Sequence, residues 1–367
     1  MSGADNPTHD LDWTGGLPTA FDFMLKERPT DPEMRESASV WLFEENGDFA
    51  LPRVGIEAQG AVWDSHRFDM NAAFGNGRVL RESVRAPTQE STAADGIPRI
   101  LGAGGLTFTC VEPFRKWQAC YQGEAWDGSV TEQIDGAFGV YADGNRDKGL
   151  EGRRRVPVSW QFDLTMAAPA WVQDYREEKL ASMTERERAD AGSMGYGWRV
   201  EQLLRGEGFL TIDGVTRSAK VTGSRIHRQS VRPMGAFRGH CWQSVIFPDG
   251  RGFGYIAYPP LPGLPADDTY NNAYVVADGR LHPAKAVKIP FLRNIMTHGD
   301  DVALELEWAG GTWRIDAATL NATFHMGNPG VNGFNNQQSG VRYVFEGMTA
   351  YGMIERSSPS DLCVVRK

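Results

Sequence analysis

Metal-binding and redox motifs are scarce in this chain of 367 residues. Its four cysteines, Cys110, Cys120, Cys241 and Cys363, show no Cys-x-x-Cys spacing, so free thiols are expected. The seven histidines (His9, His66, His227, His240, His282, His298 and His325) form neither HExxH nor HxH, and no metal or other cofactor is expected. Positive charge is also short: 38 Lys and Arg against 47 Asp and Glu leave a net charge of -9. That argues against a nucleic-acid partner, whose phosphates call for dense basic surface. The one basic run, Arg153 to Arg155, reads as a solvated turn. No apolar run reaches membrane-spanning length, and the first residues lack the basic start and apolar core of a signal peptide. No membrane span and a cytoplasmic location are therefore expected. The GAGG at 102–105 leads into strand-like LTFTC, where a dinucleotide site needs a helix N-terminus, which removes a Rossmann reading.

Turn signals, in contrast, are abundant. Asn-Gly occurs at Asn46, Asn76 and Asn332, and Asp-Gly at Asp95, Asp127, Asp135, Asp143, Asp213, Asp249 and Asp278. Short alternating apolar runs flank most of them, the pattern of a mostly β protein built as sandwich or barrel. The exception is Ala170 to Ala191, rich in Glu, Arg, Leu and Ala without Gly or Pro, which predicts a helix connecting two β halves. The expected division is an N-terminal β unit over 1–168, a helical linker over 169–194 and a C-terminal β unit over 195–367. An internal echo supports two copies of one β unit: Trp41, Asn46-Gly47 and NGRVL at 76–80, against Trp242, Asp249-Gly250 and DGRLH at 278–282.

The most informative stretch is RGHCWQ at 238–243, followed by alternating residues through Val245 and Phe247, a Pro248-Asp249-Gly250 turn, and Phe253, Tyr255, Ala257 and Tyr258. This predicts a hairpin, with the Asp-Gly pair supplying positive backbone angles. Period two puts Arg238, His240 and Trp242 on one face and Cys241 and Gln243 on the other, which argues against a Cys241–His240 nucleophile. A guanidinium, an imidazole and an indole on one face need either water or partners. The alternative to a functional role is a satisfied core histidine and an arginine paired with a carboxylate.

Several motifs resemble the hydroxyneurosporene synthase-like group, which takes in carotenoid hydratases, AttH-type proteins and kievitone hydratase. They are Gly197-Trp198-Arg199-Val200-Glu201-Gln202, Arg238-Gly239-His240-Cys241-Trp242, Gly352-Met353-Ile354-Glu355-Arg356-Ser357, and the run from Arg35 through Trp41 and Arg53-Val54-Gly55-Ile56-Glu57 to Trp63. The resemblance implies a calycin architecture of two lipocalin-like β-barrel or β-sandwich halves with a connecting helix. It further implies a hydratase or dehydratase (hydro-lyase), or a related lyase, acting on a small hydrophobic terpenoid or aromatic substrate in a buried pocket. A cyclase or isomerase of related fold, or a carrier of hydrophobic ligands, uses the same pocket. One departure stands out: Gly239 occupies the position of the signature's Asp, an acid able to protonate an alkene.

Hydrating an unactivated double bond needs a dry acid, aromatic faces for the cation and one admitted water. The 11 Trp, 18 Phe and 10 Tyr supply such faces, although most rings simply build core. Glu201, flanked by Trp198, Val200 and Leu203, is the first candidate acid, and His240 the candidate acid or base. Arg238, Trp242, Trp41, Glu57, Trp63, Tyr255 and His325 are the candidate substrate-binding residues. Glu201 and Glu57 could instead pair with Arg238 or Arg53. The polar stretch Asn328 to Gly340 reads as a mouth loop beside His325, or as a long turn. Oligomeric state is left open.

Overall fold

The computed structural model describes residues 11–136, 152–231, 237–261, 263, 265, 269–327 and 333–366. Among these, strands dominate, and alternation along them decides what faces inward. The first half contains β1 (Met34–Glu44), β2 (Phe49–Gln59), β3 (Ser65–Phe74), β4 (Arg78–Pro87), β5 (Ile100–Ala103), β6 (Leu106–Glu112) and β7 (Lys116–Ser129). It continues with β8 (Arg155–Met166), β9 (Trp171–Asp174), β10 (Tyr196–Ile212) and β11 (Val215–Val231). These eleven form one sheet, and the pairing of β4 with β7 closes β4-β3-β2-β1-β11-β10-β8-β7 into a ring.

The second half holds β12 (His240–Ile246), β13 (Gly252–Ala257), β14 (Asn271–Ala277), β15 (Arg280–Lys288), β16 (Asn294–Ile295) and β17 (Leu304–Trp308). After them come β18 (Gly311–His325), β19 (Phe334–Phe345), β20 (Met348–Pro359) and β21 (Val364–Val365). Here β12-β13-β14-β15-β17-β18-β19-β20 is a closed barrel, while β16 and β21 pair apart from it. Closure removes exposed sheet edges, which otherwise template aggregation.

Three expectations need correction. The sequence from Trp171 begins as strand β9 against β10, because Trp171 and Gln173 find a buried face there. Helix follows only as α2 (Glu177–Leu180) and α3 (Glu185–Met194), the second started by a Thr184–Glu187 capping box; α1 (Val130–Ile134) lies earlier in the chain. Secondly, β10 and β11, expected in the C-terminal half, pair with β8 and β1, so the change of sheet falls between Val231 and His240. Thirdly, Phe334 to Gly340 is no loop but enters β19, where Gln337, Gln338 and Ser339 are buried; residues 328–332 and His9 lie outside the described residues.

The echo around Trp41 and Trp242 is structural. Strands β1 and β12 each open a ring and pair with its last strand, β11 or β20. Val40 pairs with Arg225 and Cys241 with Arg356, so each tryptophan follows the residue opposite a buried arginine. Each arginine holds a glutamine of the neighbouring strand and an aspartate from outside the ring. Arg225 bonds Gln202 and, at 2.6 Å, Asp22; Arg356 bonds Gln337 at 2.8 Å and Asp300 at 2.5 Å.

Turn chemistry differs from hairpin to hairpin. Asp213-Gly214 and Asp278-Gly279 have positive φ at both residues, as a two-residue type I′ turn requires. At Asp249-Gly250 only Gly250 does (φ 88), and Pro248 lengthens the loop.

At the first ring, Asp22 accepts from the Phe114 N–H and Trp117 Nε1, and His227 lies 3.2 Å from Glu36. Against the effect of burial, Arg225 and His227 hold the Asp22 carboxyl at about 2, while Asp22 and Glu36 raise His227 above its ordinary value. The stability that Asp22 contributes is present above its unfolded value near 3.8 and is lost as pH falls towards 2. That from His227 is full below 6.5 and fades as pH rises through its folded value. Thermal melts from pH 2.5 to 8 should therefore peak between the two limits. Asp22→Asn should lower the peak and flatten the acid limb; an unchanged limb would refute the assignment.

Candidate functional site

The two rings face each other through the outward residues of β1, β10, β11, β12, β13 and β20. Period two sends Ala38, Val40 and Leu42 of β1 into the first core, and Ser37, Ser39, Trp41 and Phe43 towards the barrel. Likewise Cys241 and Val245 enter the barrel core, whereas His240, Trp242 and Ile246 face the first ring. Trp41 and Trp242 meet edge-to-face with centroids 5.4 Å apart, a geometry that adds about 0.5–1.5 kcal/mol beyond area burial. Within the first ring, Gly223 of β11 lets the backbone of β1 pass close by, since a Cβ there would lie 1.8 Å from the Trp41 carbonyl oxygen.

Between the halves lies a cavity of about 230 Å3. Trp41, Trp242, Ile226, Ile256, Tyr258 and Phe237 supply its apolar wall. Ser37, Ser39, Arg53, Glu57, Arg199, Arg228, His240, Asn336 and Glu355 supply the polar one. The Arg53 and Glu57 side chains are 40% and 35% exposed and mark the mouth, while Trp41 and Tyr258 are fully buried.

The most concentrated chemistry is at Glu355 and His240. His240 Nδ1 lies 2.7 Å from Ser357 Oγ, and its Nε2 3.5 Å from Glu355 Oε1. The same carboxylate oxygen receives Arg53 and Asn336, each at 3.4 Å. Burial opposes ionisation, but Arg53, His240 and Asn336 together hold the Glu355 carboxyl at about 2. Its Oε2 is buried with no partner among the described residues, as are Asn336 Oδ1 and Trp41 Nε1. Leaving such groups unsatisfied costs about 1–3 kcal/mol each, and all three belong to residues that line the cavity.

Of the residues singled out from sequence, His240, Trp242, Trp41 and Glu57 meet at this cavity, with Glu57 paired to Arg35 at 3.2 Å. The others do not. Glu201 is fully buried behind Arg199, taking 2.9 Å from its guanidinium and 3.1 Å from the Tyr274 hydroxyl. Burial raises its pKa, while Arg199 and Tyr274 pull the other way. Arg238 turns aside to the Pro259 carbonyl (2.7 Å), Asp190 and Thr269, tying α3 to the barrel. Tyr255 shares the inward face with Cys241, 3.1 Å from its sulfur, because both belong to the alternation that fills the barrel. Trp63 packs beside His66 on the first ring, and His325 bonds Arg81 at 2.8 Å.

Glu355 and Arg199 were not among the residues singled out as candidates, and Arg53 only as an ionic partner for a glutamate. A signal existed for the first: an acid inside the apolar run GMIERS, which period two places with Met353 and Ser357 on the outward face. Arg199 was legible likewise as the same-face neighbour of Glu201. Arg53 was not, because it sits at a register shift of β2 with φ 59, a conformation that spacing does not reveal.

No family model matches the chain. An AttH-type protein from Nitrosomonas europaea superposes over 89% of this chain and 92% of its own, with TM-score 0.51 and 12% identity. CghA superposes over 98% and 96%, with TM-score 0.50 and 13% identity. The chain has the AttH-type fold. Kievitone hydratase from Nectria haematococca aligns over 94% and 95% at 11% identity, with a lower TM-score of 0.45. A quinohemoprotein alcohol dehydrogenase (ADH IIB) from Pseudomonas putida is 25% identical over 284 residues, 70% of this chain. The chain spans about a third of that relative's length (33%).

The glycine at 239, where the resemblance sets an aspartate, has a backbone cause. Gly239 has φ 98, and a Cβ on it would stand 2.4 Å from the Ser357 carbonyl oxygen. No aspartate fits here without moving β12 away from β20.

Proposed function

We propose that the chain is a cofactor-independent hydro-lyase, a hydratase or dehydratase, acting on a small, largely apolar terpenoid or aromatic molecule. The observation that carries this reading is the Glu355–His240 pair at an aromatic-walled cavity, with one carboxylate oxygen unpartnered. The AttH-type fold is consistent with it and supplies no residue roles. In the elimination direction, the Glu355 carboxylate takes a proton from the carbon next to the C–O bond. His240, in its protonated form, gives its Nε2 proton to the departing oxygen, which leaves as water. Addition requires the same carboxyl in its protonated form, which Arg53, His240 and Asn336 disfavour, so elimination is the favoured direction. Ser357 orients the imidazole from behind, and Trp41 and Trp242 shelter positive charge developing on carbon.

The purified chain is to be incubated with a panel of prenylated phenols and terpenoid alcohols and alkenes in heavy-oxygen water. Products that have gained or lost one water, with labelled oxygen entering on addition, are expected by mass spectrometry. Conversion without change of mass would favour a cyclase or isomerase, and binding without conversion a carrier.

A further inference from the structure

A second cavity, of about 210 Å3, adjoins the first and shares Ser37, Ser39, Arg53 and Glu57 with it. Strand register explains its make-up. Ser37 lies opposite Glu57, which lies opposite Arg67; Ser39 lies opposite Gly55, which lies opposite Asp69. Two polar rows therefore run outward across β1, β2 and β3, and Gly55 carries no side chain between Ser39 and Asp69, where a Cβ would meet that of Ser39 at 2.9 Å. Among the described residues no aromatic side chain lines this cavity; Arg35, Arg53, Arg67, Glu57 and Asp69 surround it. Arg53 stands where the two cavities meet, in a left-handed backbone conformation (φ 59) held by Asn71 Nδ2 donating to its carbonyl at 3.0 Å. Strained positions of this kind concentrate at ligand sites.

We infer that the two cavities form one bipartite site for an amphiphilic molecule with an apolar body and a neutral, hydroxyl-rich head group. This rests on the reading of the first cavity as a substrate site and names the substrate class. An anionic head would meet Glu57 and Asp69, and a cationic head would meet three guanidinium groups. Hydroxyls both donate and accept, so they satisfy both signs of charge while the Arg35–Glu57 and Arg67–Asp69 pairs, at 3.2 and 3.1 Å, stay intact. The body then lies against Trp41 and Trp242, with its polar junction beside Arg53 and the Glu355–His240 pair.

Calorimetric titration of the full chain with 2-naphthol, 2-naphthoate and 2-naphthyl β-D-glucoside tests this without turnover. The glucoside should bind at least about tenfold more tightly than 2-naphthol, and naphthoate no more tightly than 2-naphthol. Arg67→Gln should erase the glucoside's advantage and leave 2-naphthol binding unchanged; should that variant not fold, the ligand series on the unaltered chain decides alone. Equal binding of glucoside and naphthol, or a preference for naphthoate, would overturn the bipartite site and leave the reaction to the heavy-oxygen experiment. Failure of all three to bind would overturn the amphiphile assignment itself.

Discussion

Glu355→Gln should lower turnover of any compound that the chain hydrates or dehydrates by at least 100-fold, within the roughly 10²–10⁴-fold range for a lost acid–base group. The amide keeps the shape and can still meet His240 and Asn336, but it cannot take up a proton. Some stability should be lost as well, because Arg53, His240 and Asn336 favour the ionised carboxylate, but less than for a fully buried pair, since the Arg53 side chain is 40% exposed and keeps its hydration. Glu201→Gln should behave in the opposite way. It leaves the Arg199 guanidinium, 5% exposed, without its carboxylate, and should cost roughly 3–5 kcal/mol of folding stability, with turnover per folded molecule nearly preserved. Thermal melts and single-turnover rates on the two variants separate these roles. If Glu201→Gln instead removes turnover at unchanged stability, the acid lies behind Arg199, and the Glu355–His240 assignment is wrong.

That reversal shows what the sequence reveals and where it stops. Alternation in RGHCWQ placed His240 and Trp242 on one face and Cys241 on the other, since a strand leaves no freedom in that choice. It could not place Arg238, which precedes β12 and is drawn to Asp190 and Pro259 rather than following the strand's period. Nor could it choose between two acids in strand contexts. Glu201 and Glu355 both stand among apolar neighbours, and only the pairing of strands distant in sequence shows that one is sealed behind an arginine while the other borders a cavity. The twofold division into β halves was legible from turn spacing and the tryptophan echo. Its boundary was not, because a polar helix is a conspicuous local feature, whereas ring closure is decided by β11 reaching back to β1.

The largest stability losses should come from the two arginines at the duplicated positions. Arg225 and Arg356 are 0% and 2% exposed, and each neutralises an aspartate that has also left water. Removing one member of a buried ion pair costs roughly 3–5 kcal/mol, because the surviving charge is left uncompensated. The two sites should differ. Arg225→Met leaves Asp22 with the Phe114 N–H, the Trp117 indole and His227 nearby, and should fall at the low end of the range. Arg356→Met removes the guanidinium that Asp300 meets at 2.5 Å and that Gln337 also accepts from, and should fall at the high end. Replacing the whole second set, with Arg356→Met, Asp300→Leu and Gln337→Leu together, should recover most of that loss, since no buried charge remains to be compensated. Urea titrations with constant slope would establish the order: Arg356→Met least stable, then Arg225→Met, then the triple variant. A triple variant less stable than Arg356→Met alone would mean that the arginine anchors its ring through specific geometry, and that charge compensation is the lesser part of its role.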